Sequence, residues 1–201
     1  MAITINGNGT ITGISTGGLP DGIVDTDMIA ANAVTAAKSS GLANQGITQH
    51  DEWRVSADYN VGTSSTTITS NWARNDTHFS YVGSGMSESS GIFTFPETGI
   101  YLIIFGMGFY KSSSQIRYGG MYCQATTDNF SSVDKNLNET LSSLSNDASA
   151  YTSTSSHSTF DVTNVSTHKV KFNVQAEVGC TGTGSTHSNR TFATFIRLGG
   201  T

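Results

Sequence analysis

Residues 91–110 read GIFTFPETGIYLIIFGMGFY, and apolar side chains fill both alternating sets of positions. One set is Tyr101, Ile103, Phe105, Met107 and Phe109. The other begins with Leu102 and Ile104, continues through Gly106 and Gly108, and closes with Tyr110. Alternate residues of a β-strand point to opposite faces, so a strand with one wet face is polar at every second position. This segment instead predicts a strand with two dry faces. One face would meet the core of its own domain and the other a neighbouring subunit. The pattern points to an oligomer built for structure or adhesion.

The 201 residues allow one substantial domain plus an extension. Charged residues make up 12% of the chain, against roughly 25% in ordinary soluble domains. Ser and Thr number 28 each, beside 22 Gly. Such a chain favours strands and turns with hydroxyl surfaces over long helices. The net charge of −5 comes with thinly spread Lys and Arg, which argues against phosphate-driven nucleic-acid binding. No apolar run approaches the roughly 20 residues of a membrane-spanning helix, so no membrane insertion is expected. The opening MAITINGNGT has no basic region followed by an apolar block, so no secretory signal is expected. Cys123 and Cys180 are too few for a disulfide framework and read as two buried free thiols or a single bridge.

Two regions differ in texture. Residues 1–49 hold no aromatic residue and are rich in Gly, Ala, Thr and Ile. Residues 3–14 read as two short β segments around Asn-Gly turns. GIVDTDMIAA (22–31) aligns with NAVTAAKSSG (32–41) as a decapeptide repeat; the rival reading is a helix over 26–39 capped by Asp25. Either way the segment has too little apolar surface to fold as a monomer, and a partner or its own symmetry mates must order it.

Residues 50–201 read as a β domain. Strands are expected over 53–61, 66–73, 78–83, 91–110 with a turn at 96–99, 119–126, 158–162, 170–178 and 191–199. In 170–178 the inward set is Val170, Phe172, Val174, Ala176 and Val178, alternating with polar residues. Phe192 and Phe195 fall on opposite faces of the last strand, which should neighbour the 91–110 strand. Residues 130–157 read as a long loop with one short helix near 137–144. Many short strands separated by turns predict a sandwich or jelly roll.

The string Phe93-Thr94-Phe95-Pro96, followed by Thr98-Gly99-Ile100-Tyr101, resembles the F-x-x-P-x-x-G-x-Y strand of C1q-like and tumour-necrosis-factor-like domains. STFDV, VKFNVQAEV and the aromatic closing strand follow in the same order. The resemblance covers about residues 50–200. It implies an all-β, ten-stranded jelly-roll sandwich that forms a homotrimer through its inner sheet. Tyr101, Ile103, Phe105, Phe109, Phe192 and Phe195 would then divide between the core and the threefold interface. The family's usual collagen-like stalk would need a Gly-X-Y repeat, and none occurs. GGLPDGIVDTDMIAANAVTAAK, near the N-terminus, is similar to segments at the start of bacteriophage tail-fibre proteins. It implies an arm that docks onto other virion proteins through Ile23, Val24, Met28, Ile29 and Val34.

Catalytic signals are weak. None of His50, His78, His157, His168 and His187 forms HExxH or a close pair with Cys. There is no G-x-S-x-G elbow, and scattered carboxylates reveal no glycosidase pair. Asp128-Asn129 and Asn146-Asp147 offer loop oxygens for Ca²⁺, or simply cap turns; no other cofactor is indicated. The loops around 60–65, 111–117, 127–157 and 179–189, with Tyr118, Tyr151 and Arg190 near them, are expected to gather at one end and offer hydrogen bonds to a sugar or protein. The resulting expectation is a non-enzymatic virion protein. Either its head contacts a host surface glycan or protein from a tail fibre or spike, or it decorates the capsid surface.

Overall fold

The computed structural model describes residues 46–75, 81–111, 114–132, 135–147 and 150–201, and the backbone of Thr4–Ile5 and Ile11–Thr12. The chain divides into two compact units, Met1–Gln45 and Gly46–Thr201. In the first, β1 (Thr4–Ile5) and β2 (Ile11–Thr12) pair antiparallel with Ile5 opposite Ile11. These are the two segments expected around the Asn-Gly turns. Ile23, Val24, Met28, Ile29 and Val34, the decapeptide alignment, the alternative helix and His78 lie outside the described residues.

The second unit carries β3 (His50–Val55), β4 (Tyr59–Val61), β5 (Thr66–Thr67), β6 (Trp72–Arg74), β7 (Ser87–Ser89), β8 (Ile92–Thr94), β9 (Gly99–Tyr110) and β10 (Ile116–Thr126). It continues with β11 (Lys135–Leu144), β12 (Tyr151–Val162), β13 (Lys169–Ala176), β14 (Cys180–Gly182) and β15 (Phe192–Gly199). One sheet runs β11-β10-β13-β8-β7, with β5 also against β13. The other runs β4-β14-β9-β15-β3-β6, with β12 on the remaining side of β9. Helices are absent among the described residues. The two strands expected to be dry on both faces are neighbours: β9 pairs β15 antiparallel, with Ile103 opposite Phe195.

Between the sheets lies an aromatic core. Phe93 of β8 sits at its centre, with the rings of Trp72, Phe195, Trp53 and Phe172 at centroid distances of 5.1, 5.2, 5.5 and 5.6 Å. The Trp53, Trp72 and Phe172 contacts are edge-on, and such contacts add to the gain from burying the rings. The F-x-x-P-x-x-G-x-Y string acquires a physical account here, because it carries the chain from one sheet to the other. The Tyr101 hydroxyl donates to the Glu97 carbonyl at 3.0 Å, and Arg197 Nε donates to the Thr98 carbonyl at 2.9 Å. Gly99 has φ +149°, and a Cβ there would lie 2.5 Å from both Arg197 Nε and the Gly199 oxygen. A side chain fits neither that conformation nor that space.

A buried charge also joins strands within one sheet. Asp51 accepts from Arg74 at 2.9 Å on both oxygens, from Trp53 Nε1 at 2.9 Å and from the Met86 amide at 2.7 Å. The carboxylate is fully ligated, as a buried anion must be.

Several expectations need correction. Residues 130–157 contain no 137–144 helix; they supply β11 and the first half of β12. Leu137 and Leu144 pack on the core, while the hydroxyls and the Asn138 amide bond one another across the sandwich edge. Thr140 bonds Thr154, Ser142 Oγ lies 2.7 Å from Thr152 Oγ1, and Asn138 Nδ2 donates to Ser156 Oγ and the His157 carbonyl at 2.9 and 2.7 Å. A polar seam closes two edge strands without an apolar pattern. The expected 53–61 strand breaks between β3 and β4, and the 66–73 strand between β5 and β6; the described residues of this unit form thirteen strands, several of only two or three residues, where the resemblance implied ten. Val178 lies beyond β13 and is exposed. Asn173, expected outside, is buried between Thr67 and Gln124, which bond its side chain at 2.6 and 2.7 Å.

Candidate functional site

The feature to be explained is the far face of the β9 sheet. Tyr101, Ile103, Phe105, Met107 and Phe109 point into the sandwich and are fully buried, as is Phe195. The intervening residues point away from it. Pairing across β3, β15, β9 and β12 stacks them in rows: His50, Ile196, Leu102 and Thr159; then Glu52, Thr194, Ile104 and His157; then Arg54, Phe192, Gly106 and Ser155. Of the six candidate core or interface residues, five therefore belong to the protomer core, and only Phe192 belongs to this outer face.

The outer face is apolar toward the end where the chain enters at residue 46. Leu102, Ile104 and Ile196 are half-buried, while Ile100 and, at 58%, Leu198 are exposed. Ile47 is exposed at the same end. Toward the opposite end the character changes to a groove of about 1010 Å³, lined by Gly108, Tyr151, Ser153, Thr183, Arg190 and Phe192 among others. Gly108 lies in its lining, and the space a side chain would need at either β9 glycine is already taken by neighbours. A Cβ on Gly106 would lie 3.0 Å from the Phe192 ring, and one on Gly108 would lie 2.5 Å from Thr183 Oγ1. Asn189, also on the rim, is held by Glu52 and Asn75.

The expected cluster of loops is only partly present. The segments following β4, β9, β11 and β14 gather at the groove end. Residues 127–132, after β10, lie instead at the opposite end, where the Asn129 amide donates to the Thr167 carbonyl at 3.1 Å. Tyr118 and Tyr151 are exposed, as is Arg190.

The remaining candidates have structural roles. His168 is buried: it stacks on Phe160 at 5.6 Å and bonds Thr163 and Thr167 at 3.1 Å. Asp128 accepts from Ser132, Thr126 and the Ser131 amide, which hold its carboxyl below the usual range. Those bonds fit a turn cap. Among the described residues no group of three or more His, Cys, Asp or Glu could hold a metal ion. Cys123 and Cys180 are buried and unbridged, and burial raises both thiols above their ordinary pKa, which keeps them in the poorly nucleophilic form.

No family model matches the chain, and no curated protein matches it. Solved structures do. Murine APRIL at pH 5.0 aligns over 75% of this chain and 98% of its own, at 18% identity and a TM-score of 0.51. The Eiger TNF of S. frugiperda aligns over 76% of this chain and 92% of its own, at 13% identity and a TM-score of 0.53. The likeness is one of fold. The second unit is the jelly roll that the Phe93–Tyr101 string led us to expect.

Proposed function

We propose that this chain is a non-enzymatic structural protein of a bacteriophage virion, a homotrimeric tail fibre or spike whose jelly-roll head contacts the host surface. The observation that carries the assembly is the second apolar face of β9 and β15, with Leu102, Ile104 and Ile196 on the side of the sheet away from the protomer core. Apolar sheet faces of this kind mark contact surfaces. Fold alone does not give function; the virion assignment draws its support from the tail-fibre-like segment at 17–38. In this reading residues 1–49 dock onto other virion proteins through Ile23, Val24, Met28, Ile29 and Val34. Threefold repetition of the head multiplies weak contacts with a host surface glycan or protein into useful avidity.

Immunogold labelling of intact virions with antibodies to residues 50–201 tests the reading. Gold at the tail or fibre tips is the expected result. Gold spread over the capsid would assign the protein to decoration of the head, and unlabelled particles would overturn both.

A further inference from the structure

The outer-face groove has a feature that assembly does not use. Each other arginine of the chain has a side-chain partner: Arg54 bonds Asn75, Arg74 pairs Asp51, Arg117 pairs Glu177 and Arg197 lies by Glu97. The Arg190 guanidinium has none among the described residues; only its backbone amide is bonded, to the Ser188 carbonyl. The nearby carboxylates are engaged elsewhere. Glu52 accepts from Asn189, and Asp58 from the Gly184 amide and the Tyr110 hydroxyl. A cation with five donors therefore stands at the rim of a groove lined by hydroxyls.

The groove also has an aromatic end. Tyr151 is 66% exposed, yet its ring is set by Tyr110 beneath it at a centroid distance of 4.9 Å and a tilt of 33°. Ser153 and Thr183 also line the groove, as do Tyr151 and Arg190. A guanidinium fork suits a carboxylate, hydroxyls suit hydroxyls, and a fixed aromatic face suits the apolar face of a pyranose ring. We infer that this groove binds a saccharide bearing a carboxylate, with Arg190 on the acid group and Tyr151 beneath a neighbouring ring. This rests on the surface-binding reading above and adds the site and the ligand class.

The test is titration of the full-length protein with oligogalacturonate, sialyllactose, lactose and cello-oligosaccharides, followed by NMR or calorimetry. Binding of an acidic member in preference to the neutral ones is expected, with a loss of about tenfold or more in R190Q and a smaller loss in Y151A. Both side chains are exposed, so circular dichroism should confirm that the variants fold. Absence of acidic preference, or undiminished affinity in R190Q, would overturn the inference. So would binding by a monomeric Ile104→Asp variant but not by the trimer, which would give the groove to the next copy. Failure here with gold still at the fibre tips would leave the virion reading standing. Binding without virion labelling would do the reverse.

Discussion

Ile104 and Phe105 are consecutive residues whose side chains lie on opposite sides of one sheet: Phe105 is fully buried among the aromatics of its own protomer, and Ile104 is half-buried on the outer face. The two positions therefore report on different things. Phe105→Asp should prevent folding, because it places an unpaired charge in the aromatic core, where the Phe105 ring centroid lies 5.7 Å from that of Phe172. Ile104→Asp should leave the protomer fold intact by circular dichroism and dissociate the trimer. Ile196→Asp, in the row beside it, should do the same. A folded Ile104→Asp trimer would remove this face from the interface.

Gly99 should tolerate no side chain. In Gly99→Ala the methyl group meets Arg197 and the Gly199 carbonyl, and the backbone strain alone is about 1–3 kcal/mol. Denaturant unfolding should show a loss of at least that size, whereas Gly200→Ala, with open space around it, should be silent.

Arg74→Met should cost about 3–5 kcal/mol, the usual penalty for leaving a buried partner charge uncompensated. Asp51 is 1% exposed, so water cannot take over the role of the guanidinium. Asp51→Asn with Arg74→Met should recover part of the loss in a double-mutant cycle.

Alkaline pH should unfold the head ahead of any acid effect on these groups. Burial pushes the Tyr101 hydroxyl up to about 12, and burial likewise raises Tyr59 and Cys123. The unfolded chain releases these protons near its ordinary values while the folded chain retains them. Stability from this source is thus complete below the unfolded pKa and declines as pH rises through it. A melting temperature that holds from pH 7 to about 9 and falls between about 10 and 12 is expected; a flat profile over that range would contradict it.

The fold was legible where the residues were apolar. The Phe93–Tyr101 string, the two-faced β9 and the alternation of Val170, Phe172, Val174 and Ala176 all mark real strands. The 158–162 strand is the second half of β12, but β11 and the first half of β12 were not legible, because Thr140, Thr154, Ser142 and Thr152 close the sandwich edge by bonding one another. Hydroxyl side chains carry the same signal in a loop as in such a seam. The outer face could be anticipated from the second apolar set of β9, but its membership could not. Choosing between Phe105 and Ile104 requires knowing which side the other sheet covers. The groove gave no signal of its own. It brings together Gly108 of one strand and Arg190 from a segment some eighty residues later.

The central claim is assembly through that outer face, and the most direct measurement is the solution mass of the full-length protein by sedimentation equilibrium. The account predicts three times the 21.2 kDa of a single chain, reverting to one chain in Ile104→Asp. A native protein that stays at 21.2 kDa at every concentration would contradict it.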